Sequence, residues 1–301
     1  MIETALHPTP RPRDVLREQL RAVGLALRVP AAATVALVGL VTLLLTAELL
    51  REGGRVDFHP EHQMLPSVVG LLLPIAVWRG EARFGAGFLW TLPVERRRHA
   101  LARVFAGWAW LMAAIALFVL WLLAFTLLSG GSLLAEETLR LLPSYSVRAP
   151  GPIDPAAVRS VPWTPQPLLW LVPFTAATGT YLLASALALG SRYPLRWIIG
   201  TVLGVFLVGA IGDAADVKWL AFGPSNPLES LLNGPYGLDT LFTARTESLK
   251  IDVTLSTGES VVVWRGLPDL GQWAAATLLW IGAGVLALLA AASRHREGRP
   301  A

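Results

Sequence analysis

Residues 104–128 read VFAGWAWLMAAIALFVLWLLAFTLL, a run without a single charged side chain. As a helix rising 1.5 Å per residue it reaches about 37 Å, more than the roughly 30 Å of a bilayer's hydrocarbon core. A helix apolar on every face has no side to turn toward water. Residues 29–50, VPAAATVALVGLVTLLLTAELL, behave in the same way, with Glu48 as their one charge. Across all 301 residues, apolar types make up 54% and charged types 15%. A soluble domain carries about 25% charge, so the composition excludes an ordinary soluble fold.

Working outward from these two runs gives six expected spans, at about 29–50, 64–79, 104–128, 168–190, 197–213 and 272–292. The second, MLPSVVGLLLPIAVWR, is short and holds Pro66 and Pro74. It must tilt, continue into its flanks or re-enter. Charge asymmetry supports an even number of crossings. With six spans, residues 1–28, 79–103, 191–196 and 293–301 share one side, with 16 of the 25 Lys and Arg but 6 of the 21 acids. Short basic loops stay cytoplasmic, which predicts a multi-pass protein of a bacterial cytoplasmic (inner) membrane with both termini inside. Trp78, Trp170, Trp197 and Trp273 fall near span ends, where indole rings reach the headgroups. Trp121 and Trp280 fall deeper, as packing residues.

The fold class expected is an all-α polytopic membrane protein with an N-terminal interfacial helix and a small extracytoplasmic β-containing segment before the last span. Four regions follow: a tail and interfacial helix (1–28), spans one to five (29–213), an extracytoplasmic segment (214–271), and the last span with its tail (272–301). In residues 12–28, Leu16, Leu20, Val23 and Leu27 recur at helical spacing against Arg13, Arg17, Glu18 and Arg21, the pattern of a helix lying in the interface plane. The polar, basic opening does not read as a signal peptide. In the outer loop 129–167, Leu133–Leu142 is expected to form a short amphipathic helix, followed by a proline-rich crossing. Ile251, Val253 and Leu255 alternate with polar residues before Thr257–Gly258, which predicts a β-hairpin.

Several chemistries are missing. There is no cysteine, hence no disulfide, thiolate metal site or cysteine nucleophile. No GxxxxGK[ST] phosphate loop and no HExxH occurs, so neither ATP hydrolysis nor that zinc chemistry is expected of this chain. His59 and His62 flank Pro60, which spoils their spacing as metal ligands. The net charge of +4 reflects membrane topology rather than nucleic-acid binding. Glu48 and Asp213 lie near outer span ends, as solvated caps or as gating groups. Gly200 and Gly204 form a GxxxG that suits a close helix contact.

The most informative stretch is 79–103, RGEARFGAGFLWTLPVERRRHALAR. The Leu92-Pro93 step breaks one helical piece and opens another, and Glu95 suits the positive end of the second. Arg96, Arg97 and Arg98 then make a charged knob fit for a cytoplasmic partner. Leu92, Pro93, Val94, Glu95 and Arg96, with Arg103 closing the loop, resemble the coupling segment of the type-two (exporter-like) ABC transporter permeases. Glu81 and Arg83 resemble the charged element upstream of it. That family has an interfacial helix, six spans, cytoplasmic ends and an extracytoplasmic re-entrant or helical element before the last span.

The resemblance implies a permease subunit that exports a hydrophobic or amphipathic substrate. It would dock through 92–103 on cytoplasmic ABC ATPase subunits, beside a second permease chain and membrane lipids. It also implies that ATP and Mg bind to the partner, with no cofactor, metal or catalytic residue on this chain. Two alternatives remain from the residues alone: a membrane-embedded enzyme acting on a lipid-like substrate, and a non-transporting scaffold subunit.

Overall fold

The computed structural model describes residues 12–52, 64–78, 96–134, 136–142, 153–215, 217, 227–244, 251–264 and 266–293. The chain is mostly helical. Among the described residues, five helices are long and apolar enough to cross a membrane: α2 (Arg28–Glu52), α4 (Arg96–Leu128), α5 (Val172–Gly190), α6 (Pro194–Ala214) and α9 (Leu270–Ser293). A 3-10 turn at Pro167–Leu171 leads into α5. The N-terminal α1 spans Pro12–Ala26, and α3 spans Leu65–Val77. With 13 residues, α3 is about 20 Å long, short of a full crossing by itself. α4 leaves the apolar region through a glycine cap. Gly130 adopts φ +77°, and Gly131 N–H donates to Thr126 O at 2.9 Å, satisfying an end carbonyl that the helix leaves open.

Close contacts fix how the helices lie. A Cβ on Gly284 of α9 would come within 2.8 Å of Leu182, and one on Gly190 within 3.6 Å of Ala291. α5 and α9 therefore run side by side in the same direction. Gly70 of α3 meets the backbone of Ala177, and Val77, seven residues on, meets Gly107 beside Tyr181, so α3 also runs parallel to α5 and starts level with its first turn. Tyr181 donates to Val104 O, and Trp108 donates to Thr178, so α4 runs the opposite way. α5 is the hub. Most of it is buried, including Ala176, Ala177, Tyr181, Ser185 and Leu189. α2 and α6 lie at the periphery, where Leu37, Leu43, Leu44, Leu203, Phe206 and Leu207 are exposed. We call the end with α1, the start of α4 and the α5–α6 turn the basic end, and the opposite one the far end.

At the far end the outer loops build two small sheets. The hairpin expected at 251–263 is present: β3 (Ile251–Thr254) pairs antiparallel with β4 (Ser260–Val263), Ile251 opposite Val263. Gly258, at φ +83°, takes the left-handed turn position, which glycine occupies at no steric cost. The helix expected at Leu133–Leu142 is not formed. Glu137–Leu141 is a strand, β1, paired antiparallel with β2 (Arg159–Trp163). Its partners explain the correction, because Leu142 N–H donates to Trp264 O and Trp264 N–H to Arg140 O, both at 2.8 Å. A helix would forfeit these ladder bonds to a distant hairpin.

Ile153 joins the other flank, donating to Thr254 O and accepting from Ser256 N–H. Leu142, Val253, Leu255, Val261 and Val263 close one apolar cluster between the sheets. The Arg140–Glu259 ion pair across them is 3.5 Å and half exposed, a kind of pair that contributes little. Val263 is 1% exposed. Val263→Asp is expected to cost about 3 kcal/mol by burying a charge with no partner. Limited proteolysis should then cleave the outer segments well before the spans, whereas Val262→Asp, on the exposed face, should leave the pattern unchanged.

Between α6 and the β3–β4 hairpin, the chain turns back inward. α7 (Pro227–Asn233) and α8 (Leu238–Thr243) are joined by a turn at 234–237. Leu241 is fully buried against Gly179 of α5, and Trp280 of α9 donates to Tyr236 O at 2.9 Å. Gly179 lies seven residues inside the start of α5, about 10 Å down the helix. The pair reaches into the bundle, where α8 packs between α5 and α9.

Trp78 and Trp273 do not sit at a headgroup surface. They are 1% and 8% exposed, packed where α3 meets α4 and where α9 meets Val172. Trp197, 62% exposed, does face outward.

Candidate functional site

At the basic end, where α1, α3, α4 and α5 converge, the buried polar residues are Gln19, His99, Arg103 and Ser185. α1 lays its apolar stripe on α4: Val23 is fully buried, and Trp110 Nε1–H donates to Leu20 O at 2.9 Å. Gly24 lies directly against the Trp110 ring, where a Cβ would come within 2.9 Å. Gln19, on the same face, reaches the His99 ring at 3.5 Å, with both residues buried. The helix expected at 12–28 therefore has a protein floor for its apolar side.

α3 ends at Val77, level with about Ala184 of α5 and six residues short of that helix's end. Its last carbonyls meet Arg103. The guanidinium donates from Nε and Nη2 to Val77 O at 3.0 and 2.8 Å. It also lies 5.4 Å from the centre of the Trp78 ring. A cation here faces the negative end of the α3 dipole and the face of an indole. At the next residue of α4, Tyr181 O–H donates to Val104 O at 2.8 Å. Gly107 opens the space for that ring, since a Cβ there would collide with Tyr181 Oη. Three helices are thus tied within two turns of α4.

The expected docking residues divide into three groups. Leu92, Pro93, Val94 and Glu95 lie outside the described residues. Arg96 opens α4, followed by half-buried Arg97 and exposed Arg98. Arg103 is corrected from a docking residue to an internal one: it is 7% exposed and held by Val77. Nor do residues 96–103 form a short helix of their own. They are the first two turns of a continuous 33-residue helix, because nothing between Arg96 and Leu128 breaks it.

Glu48 and Asp213 are exposed near the far ends of α2 and α6. A Cβ on Gly200 or Gly204 would meet nothing within 4 Å, so that glycine pair makes no close helix contact among the described residues. No group of three or more His, Asp or Glu suited to a metal occurs among the described residues.

Sequence reasoning missed Gln19, His99 and Tyr181, and expected Trp78 at the headgroups rather than beside Arg103. Tyr181 did carry one usable signal, a phenol in the middle of an apolar span, where its hydroxyl needs a partner. The site holds no acid–base pair and no nucleophile with an adjacent base among the described residues. It does join a charged helix base to the interior by hydrogen bonds that survive only if α1, α3 and α4 move together.

This chain matches no family model, no curated protein and no solved structure.

Proposed function

We propose that this chain is the membrane-spanning permease subunit of an ATP-driven transporter of the type-two ABC class, exporting a hydrophobic or amphipathic substrate. The observation that carries the reading is the construction of the base of α4. Arg96, Arg97 and Arg98 follow directly on the Leu92–Glu95 motif and begin an unbroken helix. Two turns on, Arg103 ties that helix to α3, and Trp110 ties it to α1. A push on the arginines by a cytoplasmic ATPase is then delivered to three helices at once.

The inward-reaching pair α7–α8 before the last long helix is the kind of element the resemblance implies. In this reading α3 is the second of six crossings. Both termini lie in the cytoplasm of a bacterial inner membrane, and a second permease chain, identical or related, stands opposite. ATP and Mg belong to the partner ATPase.

The test is purification of the full chain from its native membrane in mild detergent, with identification of co-purifying chains and an assay of ATP hydrolysis. An ATP-binding subunit is expected to co-purify with the wild type. Reversing the knob in R97E/R98E should reduce its recovery at least tenfold, with the permease itself still monodisperse. Absence of any ATP-binding chain from a well-folded sample would remove the energy source and sink the proposal.

A further inference from the structure

At the basic end of α6 an open groove of about 480 Å³ is lined by Tyr193, Arg196, Trp197, Gly200 and Thr201. Positions 193, 197, 200, 201 and 204 follow helical spacing and fall on one face. That face is graded. Its lower part carries the cations: Arg196 lies 4.4 Å and Arg192 5.6 Å from the centre of the Tyr193 ring. Neither arginine is ion-paired among the described residues. Tyr193 and Trp197 are 48% and 62% exposed, amphipathic rings of the kind that settle at headgroup depth. Above them, Gly200 and Gly204 leave a strip with nothing within 4 Å of where a side chain would begin.

We propose that this groove is a binding site for one anionic phospholipid of the cytoplasmic leaflet. Arg192 and Arg196 take its phosphate, the aromatic rings flank the glycerol region, and an acyl chain lies in the glycine strip. Charge selects this occupant over a second copy of the chain. A symmetric contact through Gly200 and Gly204 brings two pairs of arginines together, and like charges at an interface are repulsive. An anionic headgroup neutralises them, and an acyl chain fills a shallow strip as well as a helix does. The proposal rests on the membrane reading and on the basic end facing the cytoplasm, but not on any ATPase.

The test uses the purified full chain, freed of lipid in detergent and titrated with phosphatidylglycerol or phosphatidylcholine brominated on the acyl chain. Bromine quenches tryptophan on contact, and the Trp197 contribution is the difference between wild type and W197F. Phosphatidylglycerol is expected to quench that contribution with at least a fivefold preference, since one basic residue near an anionic lipid is worth roughly a factor of five. R192Q/R196Q should bring the preference to about one with helical content unchanged. Equal quenching by the two lipids, or a preference that survives R192Q/R196Q, overturns the proposal. The chain has no cysteine, so T201C gives a clean second readout. Quantitative disulfide formation between copies in native membranes would assign the face to a second chain instead.

Discussion

Gly70→Val is expected to detach α3 from the helix bundle. A Cβ at this position collides with Thr180 Oγ1 and falls 2.5 Å from Ala177 O and 3.1 Å from Ala177 Cα. Two of those three atoms belong to the α5 backbone, which cannot rotate aside as a side chain would. The helices approach closely here because a glycine stands at the crossing, which in a bilayer replaces the missing hydrophobic drive with dispersion contact. Overpacking a tight core costs about 1–3 kcal/mol.

Here lifting α3 also loosens buried Pro66, Pro74, Val77 and Trp78. The monodisperse fraction in detergent should collapse at a temperature about 5–10 °C lower, at roughly 2–4 °C per kcal/mol. Gly39 on α2 is the control, since a Cβ there meets nothing within 4 Å. If Gly70→Val and Gly39→Val melt together, the close packing of α3 on α5 is wrong.

Arg103→Ala is the second large effect. The side chain is 7% exposed and supplies two donors to a single carbonyl at the end of α3. Hydrogen bonds from a charged group contribute about 1.5–3 kcal/mol in favourable cases, and the variant also leaves Trp78 without its cation. A loss of about 2–3 kcal/mol is expected. Lysine keeps the charge but not the planar fork that presents both donors together. Arg103→Lys should therefore recover only part of the loss. The discriminating measurement is hydrogen exchange at residues 75–78, where both variants should lose protection while α9 keeps its own. A lysine variant indistinguishable from wild type in exchange and in stability would reduce Arg103 to a plain cation. If the permease reading holds, Arg103→Lys should also bind its ATPase normally but transport poorly, because the tie lies beyond the docking surface.

Much of the helical frame was legible in the order of residues. Runs such as 29–50 and 104–128 exceed what a soluble helix needs, and a window of hydropathy is a local property. The hairpin at 251–263 was legible for the same reason: alternation and a Thr-Gly turn sit within a dozen residues. The site was much less so. Arg103 was expected on a docking surface, and its burial depends on where α3 ends, 26 residues earlier in the chain. The strand at Glu137–Leu141 was expected to be helical, since its own residues permit either state. The choice fell to Val161 and Trp264, which offer backbone partners that local pattern cannot see.

Residue order alone sets which segments leave water. The cost of burying an uncharged, self-bonded helix is set by the residues it contains. Residue order also sets which end is basic, because the arginines of 96–98, 192 and 196 sit in short loops or at helix starts. Which helices touch is set by the packing of distant segments. Gly70, Gly107 and Gly179 are ordinary glycines in the chain, and they become contact points because Ala177, Tyr181 and Leu241 arrive opposite them. The same holds for the inward turn of α7 and α8, which is stable only between α5 and α9, and for the Arg103 tie. A polar group inside a membrane protein is tolerated only where a distant partner meets it, and that partner is a property of the fold.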